Sequence, residues 1–234
     1  MKQNSNSKDG SAADSEQKVE DTSDRQHSSK PHVGSIPLSA MPLDDAKKIA
    51  ISICYKLQPF CQVINIAGSV RRQKPQVKDI EIICIPKTAT LKDMFGWDEG
   101  IIRTPMFAKT VSELGSILKG NTDGKYMQIE LPEKINLDLF IPDDFDYYRQ
   151  YAIRTGSADY SAKIIASGWR KIGWCGSDKG LRKMSDCVES KTPDGKSKWK
   201  CVKSNAELPP VWKSEEEFFN WIKVEMLHPS QRVV

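Results

Sequence analysis

A chain of 234 residues, 38% hydrophobic and with six tryptophans, has enough apolar material for one large or two small cored domains. Its 35 basic and 31 acidic residues give a net charge of +4; the first 36 residues hold five and six of them, leaving 30 against 25 in the remainder. That modest excess permits nucleic-acid binding, and the lack of any apolar run near ~18–20 residues argues against a membrane span.

No signal-like leader opens the chain, and the six cysteines, Cys54, Cys61, Cys84, Cys175, Cys187 and Cys201, form no Cys-x-x-Cys pair. A reducing, intracellular setting is expected. Zinc held by Cys175, Cys187 and Cys201 would lack a fourth ligand nearby, so no zinc site is expected.

Residues 1–36 are rich in Ser, Asp, Glu, Lys and Gln and nearly lack aromatic and branched apolar side chains. Such a stretch buries too little surface to offset chain entropy, and it is expected to be a disordered tail. Pro42–Leu57 carries the first helical pattern, with Asp44 and Asp45 at its start and Ala46, Ile49, Ala50, Ile53 and Cys54 on one face. Gln62–Ile66 reads as a short strand running into Gly68-Ser69. Asp79–Ile85 is a second strand, rich in β-branched residues. Strand side chains alternate, so Asp79 and Glu81 share a face, about 7 Å apart along the chain. Hard carboxylate oxygens so placed can hold a divalent cation such as magnesium. Upstream, Gly68 permits close backbone approach to a phosphate, Ser69 offers a hydroxyl and N–H, and Arg72 a planar cationic fork. A glycine turn before an edge strand with two solvated acids is also a common structural feature, and the spacing between the two motifs is what separates the readings.

Leu91–Trp97 is expected to be a loop or short helix, and Thr110–Leu118 a second amphipathic helix ending before Gly120. Tyr126–Leu131 and Ile135–Ile141 read as a hairpin across Pro132-Glu133-Lys134, with Asp138 the one acid in an otherwise apolar strand. Over Asp146–Trp174, Thr155-Gly156-Ser157 interrupts two helical patterns. Lys163–Lys200 is Lys/Arg-rich, with Trp169, Trp174 and Trp199 interleaved. Such a stretch is either a solvated face or a surface for a nucleic-acid backbone. Ser214 with Glu217 forms a capping box for a terminal helix over Ser214–Arg232, striped by Phe218, Phe219, Ile222 and Met226.

Gly68-Ser69, nine residues, then Asp79-Ile80-Glu81 resembles the signature of the nucleotidyltransferase superfamily. Arg71-Arg72 directly after Gly-Ser-Val narrows the resemblance to the family X DNA polymerases, the relatives of DNA polymerase β. The run INLDLFIP around Asp138 is similar to that family's third-carboxylate strand, Thr155-Gly156-Ser157 to its Thr-Gly-Ser turn, and Pro229-x-x-Arg232 to its terminal motif. The resemblance spans about Pro37–Arg232. It implies an α+β fold: a palm over residues 37–145, with a mixed or antiparallel sheet flanked by helices, then a small C-terminal α/β nucleotide-binding subdomain over 146–234. It further implies transfer of a deoxynucleoside monophosphate to a DNA 3′-hydroxyl, in gap filling or repair, by a monomer acting on primer-template and dNTP.

On that likeness Asp79, Glu81 and Asp138 would hold two Mg²⁺, with Mn²⁺ as a substitute. Gly68, Ser69, Arg72 and Lys78 would meet the phosphates, and Thr155, Gly156, Ser157 and Ser161 the rest of the nucleotide. Lys163, Arg170, Lys171, Arg182 and Lys183 would line the DNA. The chain departs from the family at Ile153-Arg154 in place of an aromatic pair, at Ala158, Ser161 and Ile165, and at Glu81, where Asp is usual. These departures bear on sugar selection and accuracy. Two other function classes stand beside this one: an untemplated nucleotidyltransferase acting on RNA, a small molecule or a protein, and a non-catalytic nucleic-acid-binding module.

Overall fold

Ala46, Ala50, Ile53 and Leu57 recur at helical spacing, and all four are buried along one side of α1 (Leu43–Leu57). The preceding Pro42 closes a two-residue strand, β1 (Met41–Pro42). Full burial of a Leu or Ile side chain contributes about 1.5–3 kcal/mol, so this stripe fixes the helix against the sheet beneath it. The computed structural model describes residues 40–193 and 195–234; the tail expected over residues 1–36 lies outside them.

The chain continues through β2 (Cys61–Ile66), the single turn α2 (Gly68–Arg71), β3 (Gln76–Val77), which pairs with β1, and β4 (Asp79–Pro86). An antiparallel ribbon follows, β5 (Thr88–Lys92) and β6 (Asp98–Arg103), then α3 (Pro105–Ser112), β7 (Ser116–Gly120), β8 (Tyr126–Glu130) and β9 (Asn136–Phe140). Beyond these come α4 (Tyr147–Thr155), α5 (Ala158–Tyr160), a wider helical turn over Ser161–Ile165 and α6 (Ala166–Lys171). Last are β10 (Trp174–Ser177), β11 (Gly180–Lys183), β12 (Cys187–Lys191), β13 (Ser197–Cys201) and α7 (Glu215–Trp221).

The protein is α+β. Its main sheet has the order β2-β4-β9-β8-β7, with β4 and β9 parallel and the other neighbours antiparallel. One face is apolar: Ile80, Ile82, Met127, Ile129, Leu137 and Leu139 pack with the α1 stripe and with Phe107 and Val111 of α3. A second core gathers Trp169, Trp174, Trp212, Phe218, Phe219 and Ile222 beside a four-stranded sheet ordered β11-β10-β13-β12. Ring pairs such as Trp212 with Phe218, 5.0 Å apart and edge-on, lock it. A smaller cluster of Ala67, Ile83, Ile85, Phe140 and Tyr147 forms along β4, β9 and the start of α4.

Two expectations need correction, and a third, the loop or short helix over Leu91–Trp97, resolves as a loop between two strands. The helix expected over Thr110–Leu118 starts earlier and ends sooner, because Pro105 is suited to the first helical position and Ser116–Gly120 is taken by the sheet. A Cβ on Gly115 would lie 2.1 Å from the Glu130 carbonyl oxygen, so only glycine fits where the helix hands over to β7. Leu91–Trp97 forms the tip of the β5–β6 ribbon: the Asp93 side chain accepts from the N–H groups of Phe95 and Trp97 and closes the turn. The terminal helix stops at Trp221, with Lys223 in the left-handed region at φ 56°, and the chain runs without regular structure to a last turn at Pro229–Gln231. Among the described residues no helix is long and apolar enough to cross a membrane.

Candidate active site

Strand register decides where the acids lie. β4 and β9 pair in parallel with Asp79 opposite Asn136, Ile80 opposite Leu137 and Glu81 opposite Asp138. Directly opposed residues share a face, so Asp79, Glu81 and Asp138 all emerge opposite the α1 side of the sheet. The intervening Ile80, Ile82, Leu137 and Leu139 are fully buried on the other side. The structure therefore brings together three acids separated by up to 59 positions (79 to 138).

The turn before β4 is built around Glu81. Gly68 opens α2 at φ 60°, and a Cβ there would lie 1.9 Å from Glu81 Oε2, so the carboxylate rests against the bare glycine Cα. The Ala67 N–H donates to the Glu81 carbonyl at 2.8 Å, and the Ser69 hydroxyl reaches the Asp79 carbonyl at 3.5 Å. Ser69 is itself buried. From β8, the Tyr126 hydroxyl donates to Asp138 Oδ1 at 2.8 Å and Gln128 Nε2 donates to the same oxygen at 3.1 Å.

Burial and like charge shift these groups. Burial, then the neighbouring Asp138 charge, raises Asp79, against the pull of Arg72 and Lys78. Burial, then Asp79, pushes Glu81 up to about 7. Tyr126 is driven up to about 12 by burial and by its bond to Asp138. Carboxylates so crowded favour any cation that approaches them.

Arg72 and Arg154 flank the acids. Arg72 donates from one terminal nitrogen to the carbonyls of Thr155 (2.6 Å) and Gly156 (3.1 Å), while its Nε is buried without a partner. The adjacent Arg71 stacks on Tyr151, 3.8 Å from the ring centroid, and bonds both oxygens of Glu215 and the Thr155 hydroxyl. The Thr155-Gly156-Ser157 turn is thus tied to the glycine turn by two consecutive arginines. Ser157 caps α5 by accepting from the Tyr160 N–H, and the Ser161 hydroxyl donates to the Ile153 carbonyl. Arg154 lies over the Phe140 ring, 4.0 Å from its centroid. Glu81, Asp138, Tyr126, Phe140, Arg149 and Arg154 line an open cleft of about 660 Å³.

The basic candidates are not gathered in the same way. Lys163 pairs with Asp159 at 3.1 Å, Arg182 donates to the Leu181 carbonyl and Lys183 pairs with Glu207. Arg170 and Lys171 are exposed at the end of α6, and Lys78 is exposed beside Asp79. Sequence reasoning missed the roles of Tyr126 and Gln128, although the hairpin implied them. Once Glu130 pairs with Asn136, Gln128 must face Asp138. Arg154 was noticed only as a departure.

Among the described residues no three His, Cys, Asp or Glu side chains stand as a ready metal cage. Asp138 is held by Tyr126 and Gln128, and Glu81 is folded over Gly68. Three hard oxygen donors share one face of the sheet, and burial, then the neighbouring acid, raises two of them; donors of that chemistry are the kind a divalent cation takes. No protein-family model matches the chain, and no curated protein matches it.

Proposed function

We propose that the protein is a nucleotidyltransferase of the DNA polymerase β-like kind, joining a nucleoside monophosphate to a 3′-hydroxyl and releasing pyrophosphate. The reading rests on one observation: Glu81 and Asp138 are register partners on adjacent parallel strands, with Asp79 on the same face beside the Gly68-Ser69 turn. Residues 37–145 then correspond to a palm and residues 146–234 to a nucleotide-binding subdomain. DNA primer-template and dNTP are the proposed partners, and Mg²⁺ or Mn²⁺ the proposed cofactor.

Asp79, Glu81 and Asp138 would hold the metal. Two divalent ions held there would supply charge neutralisation at the triphosphate and acidify the attacking hydroxyl. The chain's own work is positioning. Gly68 leaves the backbone bare at the head of α2, Ser69 and Arg72 offer donors to phosphate oxygens, and Tyr126 with Gln128 fixes the rotamer of Asp138. The longer Glu81 side chain is accommodated because it lies against a glycine without a Cβ.

Primer extension on gapped, recessed and single-stranded DNA, with deoxy- and ribonucleotides in turn, tests the reading. Asp79→Ala and Asp138→Asn should each lower incorporation by about 10³-fold or more while leaving the melting temperature within a few degrees. Full activity in either variant overturns the assignment. Labelled-nucleotide transfer to single strands, RNA or protein, with none to a primer-template, would move the protein to the untemplated class.

A further inference from the structure

The second sheet gathers thiols that the proposed chemistry does not use. Cys187 opens β12, Cys201 closes β13, and the two are direct register partners. Their pairing type follows from the bonds at either end of the ladder. The Val202 N–H donates to the Asp186 carbonyl at 3.0 Å, and the Thr192 N–H to the Lys196 carbonyl at 2.9 Å. Hydrogen-bonded and non-hydrogen-bonded pairs alternate along antiparallel strands, so stepping inward from either bond makes Cys187–Cys201 a non-hydrogen-bonded pair. The Cys201 N–H agrees: it donates to the Asp178 carboxylate at 2.8 Å, on the β10 side of its strand. Opposed Cα atoms in such a pair lie about 4.5 Å apart, within the span of a disulfide.

The two thiols differ in access. Cys187 is half-buried, whereas Cys201 is buried and its thiol donates to the Lys203 carbonyl at 3.5 Å. A third thiol, Cys175, is wholly buried and hydrogen-bonded to Cys187. A reagent arriving from solvent therefore meets Cys187 first, and the sulfur it activates already has a partner in register.

We propose that Cys187 is an oxidation site, where hydrogen peroxide converts the Cys187–Cys201 pair into a cross-strand disulfide. The Cys187 thiolate attacks one peroxide oxygen; the O–O bond breaks, an S–O bond forms, and the departing hydroxide takes up a proton as water. The Cys201 sulfur then attacks the sulfenic sulfur of Cys187. The S–S bond forms, the S–O bond breaks, and the hydroxide that leaves takes the Cys201 proton as a second water. Two electrons pass from the thiol pair to one peroxide. The consequence reaches the cleft, because Asp178, which holds the Cys201 N–H, belongs to the cleft wall together with Lys179 and Gly180. Closing the β12–β13 hairpin covalently stiffens the strand on which that wall leans. The inference goes beyond the reaction proposed for the carboxylate face and does not depend on it.

The test treats the full chain with hydrogen peroxide, blocks the remaining thiols in denaturant, and maps disulfides by non-reducing proteolysis and mass spectrometry. Wild type should yield a linked Cys187–Cys201 peptide pair that dithiothreitol releases and that the untreated protein lacks. The oxidised protein should melt about 5 °C or more higher and return on reduction, because the cross-link restricts the unfolded chain. Cys187→Ser should leave Cys201 reduced, and Cys175→Ser should still form the pair. The wild-type map decides the matter even where a variant folds poorly. A dominant Cys175–Cys187 linkage, Cys187 driven to sulfinic acid with Cys201 still reduced, or a linkage that forms only in denaturant overturns the proposal.

Discussion

Glu81 is the residue on which the site's chemistry turns. Burial and the facing Asp79 hold its carboxyl near 7, well above an unfolded value of 4.5. A raised acid favours the folded state only while protonated, so the metal-free protein should lose stability as pH rises from about 4.5 through about 7. Glu81→Gln removes that loss: the two proteins should melt alike at pH 4, with the variant more stable by about 1–3 kcal/mol at pH 8 in EDTA. Gly68→Ala meets both a positive φ and the Glu81 side chain, and thermal melting should record a cost of about 1–3 kcal/mol together with lost incorporation. Legibility at this scale was uneven. The shared face of Asp79 and Glu81 followed from strand alternation, whereas that of Asp138 rested on the resemblance alone, because a hairpin fixes its own register and not the face it turns toward β4. The stacking of Arg154 on Phe140 did not follow, because nothing local to Arg154 says that Phe140 will lie beneath it.

Among elements, α7 and α2 are joined by one buried acid. Glu215, the first residue of α7, is bonded by Arg71 at 2.8 and 3.0 Å and by Arg232, which is 1% exposed. Burial pushes Glu215 upward, but the hydrogen bonds from Arg71 and Arg232 outweigh it and its carboxyl lies below the usual range. Its contribution is therefore present above pH 4.5 and disappears as pH falls through the lowered folded value. Glu215→Gln leaves two buried guanidinium groups short of charge and should cost about 3–5 kcal/mol at pH 7, a difference that shrinks in acid; melting across pH 3–7 checks it. The capping box placed the start of this helix correctly in the sequence. Its end was misplaced because the apolar stripe continues through Ile222 and Met226 after the backbone has turned at Lys223. The β5–β6 ribbon was illegible for a related reason: Leu91, Met94, Phe95, Trp97 and Ile101 look like core material yet are exposed. Trp97→Ser should accordingly shift stability by no more than about 0.5 kcal/mol in a melting experiment.

At the scale of the whole molecule, Pro37–Val234 forms one compact unit containing two cores. All six cysteines are free; Cys61, Cys84, Cys175 and Cys201 are buried, and burial pushes the half-buried Cys54 up to about 11 and raises Cys187. A thiol reagent at pH 8 should leave the four buried thiols unmodified until the cores open, so labelling against denaturant reports global unfolding. The α+β class was readable because the site strands and α1 carry clean periodicities, whereas the second sheet is built from short polar strands with little alternation. The parallel neighbours β4 and β9 have a broader meaning for what the fold can carry. Strands that run the same way need a long return path, and here it is everything between Pro86 and Asn136. The ribbon occupies a piece of that detour, and its residues are not among those that line the cleft beside Glu81 and Asp138. Replacing Ala89–Ile102 with a brief glycine-serine bridge should leave the proposed nucleotide incorporation standing in a primer-extension assay, which makes this stretch the place where engineers can graft new parts without moving the carboxylate face.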